Sequence, residues 1–190
     1  MDSINSRLKI QKAHKTLLMI GMFSIIMLFA GLTSAYIVSK GSLVSKWDNI
    51  ALPTMFYIST VIIIISSLSA QFSINYAKQD DFKMVNRYLL IAILLGCMFT
   101  LFQFLGWNTL VNQGKFFSGN NIASSYLYVL TITHVVHLLA GIITLIVVLY
   151  HSYNKKYTAQ NFNGLILSIR FWHFLMFLWL YIFLFLLLIN

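Results

Sequence analysis

Five stretches of this 190-residue chain, at about residues 17–38, 53–77, 88–107, 126–150 and 165–189, are almost continuously apolar and contain no Asp or Glu. The hydrocarbon core of a bilayer is about 30 Å thick, which a helix crosses in roughly 20 residues. Each stretch therefore has the length of a span. No period-two alternation runs through them and each is too long for a barrel strand, so the backbone groups must be satisfied within helices. The chain as a whole is 59% hydrophobic and 9% charged, with a mean hydropathy of +0.82. That leaves too little polar surface for a water-soluble globule. The expected fold is an all-α integral membrane protein, one membrane domain over 1–190 built as a five-transmembrane-helix bundle. No room remains for a water-exposed catalytic domain, a Rossmann unit or a nucleic-acid module.

The net charge of +9 fits topology better than nucleic-acid binding, because the cations sit between the apolar runs. Arg7, Lys9, Lys12, Lys15, Lys78, Lys83, Arg87, Lys155 and Lys156 fall on the side of the N-terminus, with Arg170 near the inner start of the fifth run. Only Lys40, Lys46 and Lys115 fall opposite. The positive-inside rule then puts the N-terminus in the cytoplasm and the C-terminus outside. No small-residue cleavage site follows a short apolar core, so the first run reads as a retained span and the chain as used whole.

The lone Cys97 cannot supply a disulfide or a paired thiolate site from this chain. All four acids, Asp2, Asp48, Asp80 and Asp81, lie outside the spans. A carboxylate proton relay or a sodium-coupled site has nothing to work with there, and a transporter reading is further weakened by the lack of internal repeats. Polar groups at membrane depth are confined mainly to Gln71, Gln103, His134, His137 and His173. His134, His137 and Gly141 follow at i, i+3 and i+7, which places the two imidazoles on one helix face beside a point of close backbone approach.

Haem or metal ligation is one reading of these histidines, and a hydrogen-bonded structural or lipid-associated polar cluster of His134, His137, Trp172, His173 and Gln103 is the other. Depth argues for the second. At 1.5 Å per residue His137 lies about 20 Å from the inner end, His134 about 24 Å and His173 about 12 Å, so these three give no well-matched bis-His pair, and His14 with His151 near the inner interface is the other pair the sequence offers. Three histidines without a carboxylate make a poor metal set. No catalytic residue and no metal ligand is expected. Small residues mark the helix-packing positions, namely Gly31, Ala35, Ser66, Ala70, Gly96 and Gly141. The aromatic run Phe171-Trp172-His173-Phe174 reads as packing or as the wall of a lipid or quinone pocket.

Several segments then resemble one family. Leu130-Thr131-Ile132-Thr133-His134-Val135-Val136-His137, followed by Gly141, is similar to the T-G-F-H-G-L-H-V-x-x-G helix of subunit III of the haem-copper terminal oxidases. Phe171-Trp172-His173-Phe174 through Trp179-Leu180 resembles that family's Y-W-H-F-V-D-x-x-W-L. Gly96, Phe99, Gln103 and Trp107 match its G-x-x-F-x-x-x-Q-x-x-E-W spacing, and Leu52-Pro53 and Ser66-Ser67 its L-P and S-S-x-T elements. The matched segments keep the family's order over nearly the whole chain.

The resemblance implies the short five-helix bacterial form, a multi-pass protein of the cytoplasmic (inner) membrane. It implies a subunit without haem or copper, which reside in partner subunits, and one that packs chiefly on subunit I in a complex with subunit II. It also implies phospholipid binding and stabilisation of the catalytic subunit of a cytochrome c or quinol oxidase that reduces oxygen to water. A respiratory supercomplex is compatible with it, and no nucleic acid is expected. Three carboxylate positions of the family fall on Ile25, Gly106 and Met176, so a proton-antenna role is not supported by those groups. The alternative from another class is a bis-His haem b membrane anchor of a respiratory reductase.

Overall fold

The computed structural model describes residues 2–48, 50–118, 121–158 and 162–189. Five helices dominate it: α1 (Asp2–Ser42), α2 (Thr54–Ala77), α3 (Phe82–Asn112), α4 (Ile122–Tyr153) and α5 (Asn163–Ile189), with one 3-10 turn at Val44–Lys46. All five are long and apolar enough to cross a membrane. The helices outrun the apolar stretches because helical hydrogen bonding continues into the polar flanks. At 41 residues α1 extends for about 60 Å, twice the hydrocarbon thickness. The side chain of Arg7, one of the cations on the N-terminal side, lies outside what is described.

Chain direction reverses by one repeated device. After α2, α3 and α4 a single residue enters the left-handed region: Asp80 (φ 61°), Gly114 (φ 74°) and Lys155 (φ 52°). The amide that follows each then reaches back five residues, Asp81 to Tyr76, Lys115 to Leu110 and Lys156 to His151, closing carbonyls that the helix end would leave open. Two of the following helices start on a side-chain cap. Asp81 accepts from Met84 N at 3.2 Å and Asn121 from Ala123 N at 3.0 Å. Asn121 also exchanges hydrogen bonds with the Asp48 backbone, which ties the connection after α1 to the start of α4.

α5 is the hub. It packs against α1, α2 and α4, while α3 bridges α2 and α4, and α2 with α3 forms the most extensive pair. Trp172 of α5 is fully buried and its indole occupies the space left by two glycines. A Cβ on Gly96 of α3 would stand 2.7 Å from Trp172 Cη2. One on Gly141 of α4 would stand 2.6 Å from Leu175 Cδ1 and 3.2 Å from Trp172 Cε3. The two glycines thus let three helices close on one ring, as small residues do at contacts in lipid. Ser66 and Ala70 of α2 are buried in the same core.

The small residues of α1 behave differently. Gly31 and Ala35, which spacing alone assigns to packing either within the chain or against a partner, are exposed within this chain, and a Cβ on Gly31 would meet nothing within 4 Å. α1 turns Phe29, Thr33 and Tyr36 to the bundle instead, since bulkier groups bridge the wider gap to α4 and α5. Tyr36 packs edge-on against Trp47, Tyr126 and Phe185, Thr33 pairs with Tyr181 Oη at 2.9 Å, and Ser39 with Tyr126 Oη at 2.7 Å. Lys40 Nζ donates to the Ile189 carbonyl, a cation at the negative end of α5.

Buried indoles are satisfied through hydroxyls. Trp179 Nε1 donates to Thr60 Oγ1 at 2.9 Å, and Thr60 passes its own proton to the Phe56 carbonyl at 2.7 Å. Trp172 Nε1 donates to Ser66 Oγ at 3.2 Å, and Ser66 to the Ala92 carbonyl at 2.8 Å, so one relay spans α5, α2 and α3.

Two substitutions separate these effects. Gly96→Val should cost about 1–3 kcal/mol of unfolding free energy by overpacking the indole, whereas Gly31→Val should cost almost nothing; SDS titration in mixed micelles reads both. Thr60→Val keeps the shape and strands the Trp179 N–H, at an expected cost of about 1–3 kcal/mol, while Thr60→Ser retains stability. Equal behaviour of the Val and Ser variants at this position would contradict the relay.

Candidate functional site

The polar interior begins at the middle of α3. Phe99, Gln103 and Gly106 share a helix face toward the bundle, and all three are buried. Gln103 Nε2 donates to Ser59 Oγ of α2 at 2.9 Å, and Ser59 donates to the Phe56 carbonyl at 2.9 Å. One turn on, Trp107 Nε1 donates to Thr131 Oγ1 of α4 at 3.0 Å, and Thr131 to the Leu127 carbonyl at 2.9 Å. These repeat the arrangement at Trp172 and Trp179: an N–H from one helix, a hydroxyl on the next, and a backbone carbonyl as the final acceptor.

The histidines sit apart from one another. His134 is fully buried, its ring tilted against Trp179 at 5.2 Å between centroids and edge-on to Phe99 at 6.0 Å. Neither of its nitrogens has a hydrogen-bond partner among the described residues, and neither does Gln103 Oε1. His137 turns toward α1, packs on Phe29 at 6.0 Å, and its Nδ1–H donates to the Thr133 carbonyl of its own helix at 2.7 Å. His173 turns toward α2. Its Nε2–H donates to Gln71 Oε1 at 2.9 Å, which leaves Nδ1 to accept from the Ser67 hydroxyl.

Of the five residues expected as one cluster, His134, His137, Trp172, His173 and Gln103, no two share a hydrogen bond; each is anchored separately to a neighbouring helix or to its own backbone. His134 and Phe99 meet across α3 and α4, while His137 faces α1, so the i, i+3 spacing splits between two neighbours. Axial ligation of a haem needs two imidazoles with free nitrogens facing one gap. His173 has both nitrogens engaged and the three rings look toward different helices, so the residues present do not fit a haem. Among the described residues no group of three His, Cys, Asp or Glu converges on one point.

The three positions where the resembled family carries carboxylates are filled by packing. Ile25 and Met176 are half-buried against the core. At Gly106 the Phe56 ring takes the space that a side chain would need, since a Cβ there would collide with its Cε1 and Cδ1 atoms. An acid at 106 is therefore excluded by the ring as built. Sequence reasoning missed the hydroxyl acceptors Ser59, Thr60 and Thr131 and the pairing of Ser67 and Gln71 with His173. Their signal was faint: isolated Ser or Thr in an apolar run usually bonds its own helix, and these do both.

A separate apolar recess of about 450 Å³ opens between α1 and α5, lined by Ile26, Phe29, Ala30, Phe174, Phe177 and Tyr181. It lies beside α1, the least covered helix of the bundle.

Comparison with known proteins agrees with this layout. The family model for cytochrome c oxidase subunit III matches residues 5–189. A cytochrome c oxidase subunit 3 from Corynebacterium diphtheriae is 30% identical over 164 residues, covering 83% of this chain and 79% of that protein. A cytochrome c oxidase subunit 3 from Bacillus sp. (strain PS3) is 26% identical over 159 residues, 82% and 76% of the two chains. A cytochrome bo(3) ubiquinol oxidase subunit 3 from Buchnera aphidicola subsp. Baizongia pistaciae is 30% identical over 135 residues, 71% and 69%. With five apolar spans and bacterial relatives of this kind, the protein is a multi-pass protein of the inner membrane. The match runs through every helix of the bundle, and the chain belongs to the cytochrome c oxidase subunit III family.

Proposed function

We propose that this chain is a structural, non-catalytic subunit of a haem-copper oxidase, one that packs on the catalytic subunit I, holds phospholipid and stabilises the complex. The observation that carries the reading is how the interior is held together. Three indoles and Gln103 donate to hydroxyls within the bundle, and no carboxylate enters the spans. Such an interior holds a shape, and the imidazoles of His134, His137 and His173 pack toward separate helices with no hydrogen bond joining one to the next. Haem and copper belong to the partner subunits in this reading. The electron donor is set there too, as cytochrome c or quinol, and the names of the relatives include both kinds of oxidase.

Lipid binding is supported by the recess between α1 and α5, whose apolar lining and bilayer depth suit an acyl chain. The charge distribution supports an N-terminus in the cytoplasm, where basic loops meet anionic headgroups. A proton-antenna role finds no support, because Ile25, Gly106 and Met176 are packed apolar positions.

Purifying the tagged chain from native membranes in mild detergent, with mass spectrometry and a reduced-minus-oxidised spectrum of the same sample, tests this directly. Large haem-copper subunits should co-purify and account for all the haem. A lone chain with stoichiometric haem of its own would sink the proposal in favour of the membrane-anchor reading. Met176→Asp and Ile25→Glu should leave assembly and turnover no higher than in the unaltered complex, and a marked gain in proton uptake would contradict the packing role of those positions.

A further inference from the structure

α1 and α2 both pack on α5 without forming a substantial contact with each other, so a stripe of α5 lies uncovered between them. Most of what the bundle shows to lipid is aliphatic or aromatic. The seam of α2 and α5 is the exception. Gln71 is exposed there and stands six residues before the end of α2, about 9 Å inside the helix terminus. Its Oε1 accepts from His173, itself fixed by Ser67, which leaves the two amide protons on Nε2 aimed away from that bond with no partner among the described residues. Exposed Arg170 stands one turn before His173 and has no ion pair or hydrogen bond among the described residues.

At Gln71 and Arg170 this seam presents donors, and exposed Asn75, one turn beyond Gln71, adds an amide that both donates and accepts. Lipid tails cannot accept a hydrogen bond, and an amide left open to them at this depth is costly. The His173–Ser67 pair adds a purpose to the arrangement: a ring holding Oε1 in place forces Nε2 outward. We infer that the α2/α5 seam at Gln71, His173 and Arg170 is the face that meets the catalytic subunit, docking a transmembrane helix that presents carbonyl or carboxylate oxygens to Gln71 Nε2 and the Arg170 guanidinium. The inference rests on the accessory-subunit reading and adds to it the side of the bundle that is covered.

Photo-crosslinking in intact membranes decides it. A photoreactive residue at Leu68 or Asn75, both exposed and flanking Gln71 on α2, should label the largest oxidase subunit; one at Ile143, exposed on α4, which has no substantial contact with α2, should not. Equal or greater labelling from Ile143, or capture of lipid alone at Leu68 and Asn75, overturns the assignment while leaving the accessory role intact. A tagged chain that brings down no haem-copper subunit overturns both. Gln71→Leu should lower the co-purified catalytic subunit roughly three- to tenfold, the scale of one hydrogen bond between helices in lipid, with the chain's own membrane level unchanged. Retention equal to that of the unaltered chain would count against the seam.

Discussion

Inside a bilayer an N–H that points away from its helix has no water to turn to, and this bundle is organised around meeting that demand. One solution recurs through the spans, although Trp47 Nε1, beyond the end of α1, has no partner among the described residues. Trp107, Trp172, Trp179 and Gln103 each donate to a Ser or Thr hydroxyl on a neighbouring helix, and each hydroxyl passes its proton to a backbone carbonyl. A hydroxyl can accept and donate at once, so it links a side chain on one helix to the main chain of another with no charge involved. Because each relay has a fixed length, it also fixes helix register. His134 stands outside the scheme, held by the rings of Phe99 and Trp179 in place of hydrogen bonds.

Close approach is the second requirement, and the glycines meet it. Gly96 and Gly141 leave the volume that the Trp172 indole fills, so the ring reaches Ser66 from a seat between α3 and α4. Packing and hydrogen bonding meet in this one side chain. Gly106 and Phe56 make a comparable pair, with the ring lying where the family's glutamate would project. Position 106 is thus filled by packing, with no room for a longer side chain while the ring stays where it is.

Much of this was legible in the sequence. Five spans follow from apolar length alone, and the i, i+3, i+7 series ending at Gly141 pointed to close packing where Trp172 lies. The resemblance carried by Gly96, Phe99, Gln103 and Trp107 located the central face of α3. What could not be read was partnership. Gly31 and Ala35 look like packing residues on any helix, yet they face outward because α1 meets α4 and α5 through Phe29 and Tyr36. His134 and His137 share a sector of α4, but 60° of rotation is enough to send one toward α3 and the other toward α1. Ser59, Thr60 and Thr131 have local acceptors on their own helices, so nothing in the local pattern announces that they also accept from another.

In the proposed role this chain supports an oxidase without taking part in its chemistry. The most direct measurement is oxygen consumption by the oxidase purified from cells lacking the chain, followed over time beside the intact complex. A supporting role requires full haem content and a near-normal initial rate, followed by faster loss of activity or of subunits. Missing haem, or no turnover from the first moment in a complex that is otherwise assembled, would contradict it.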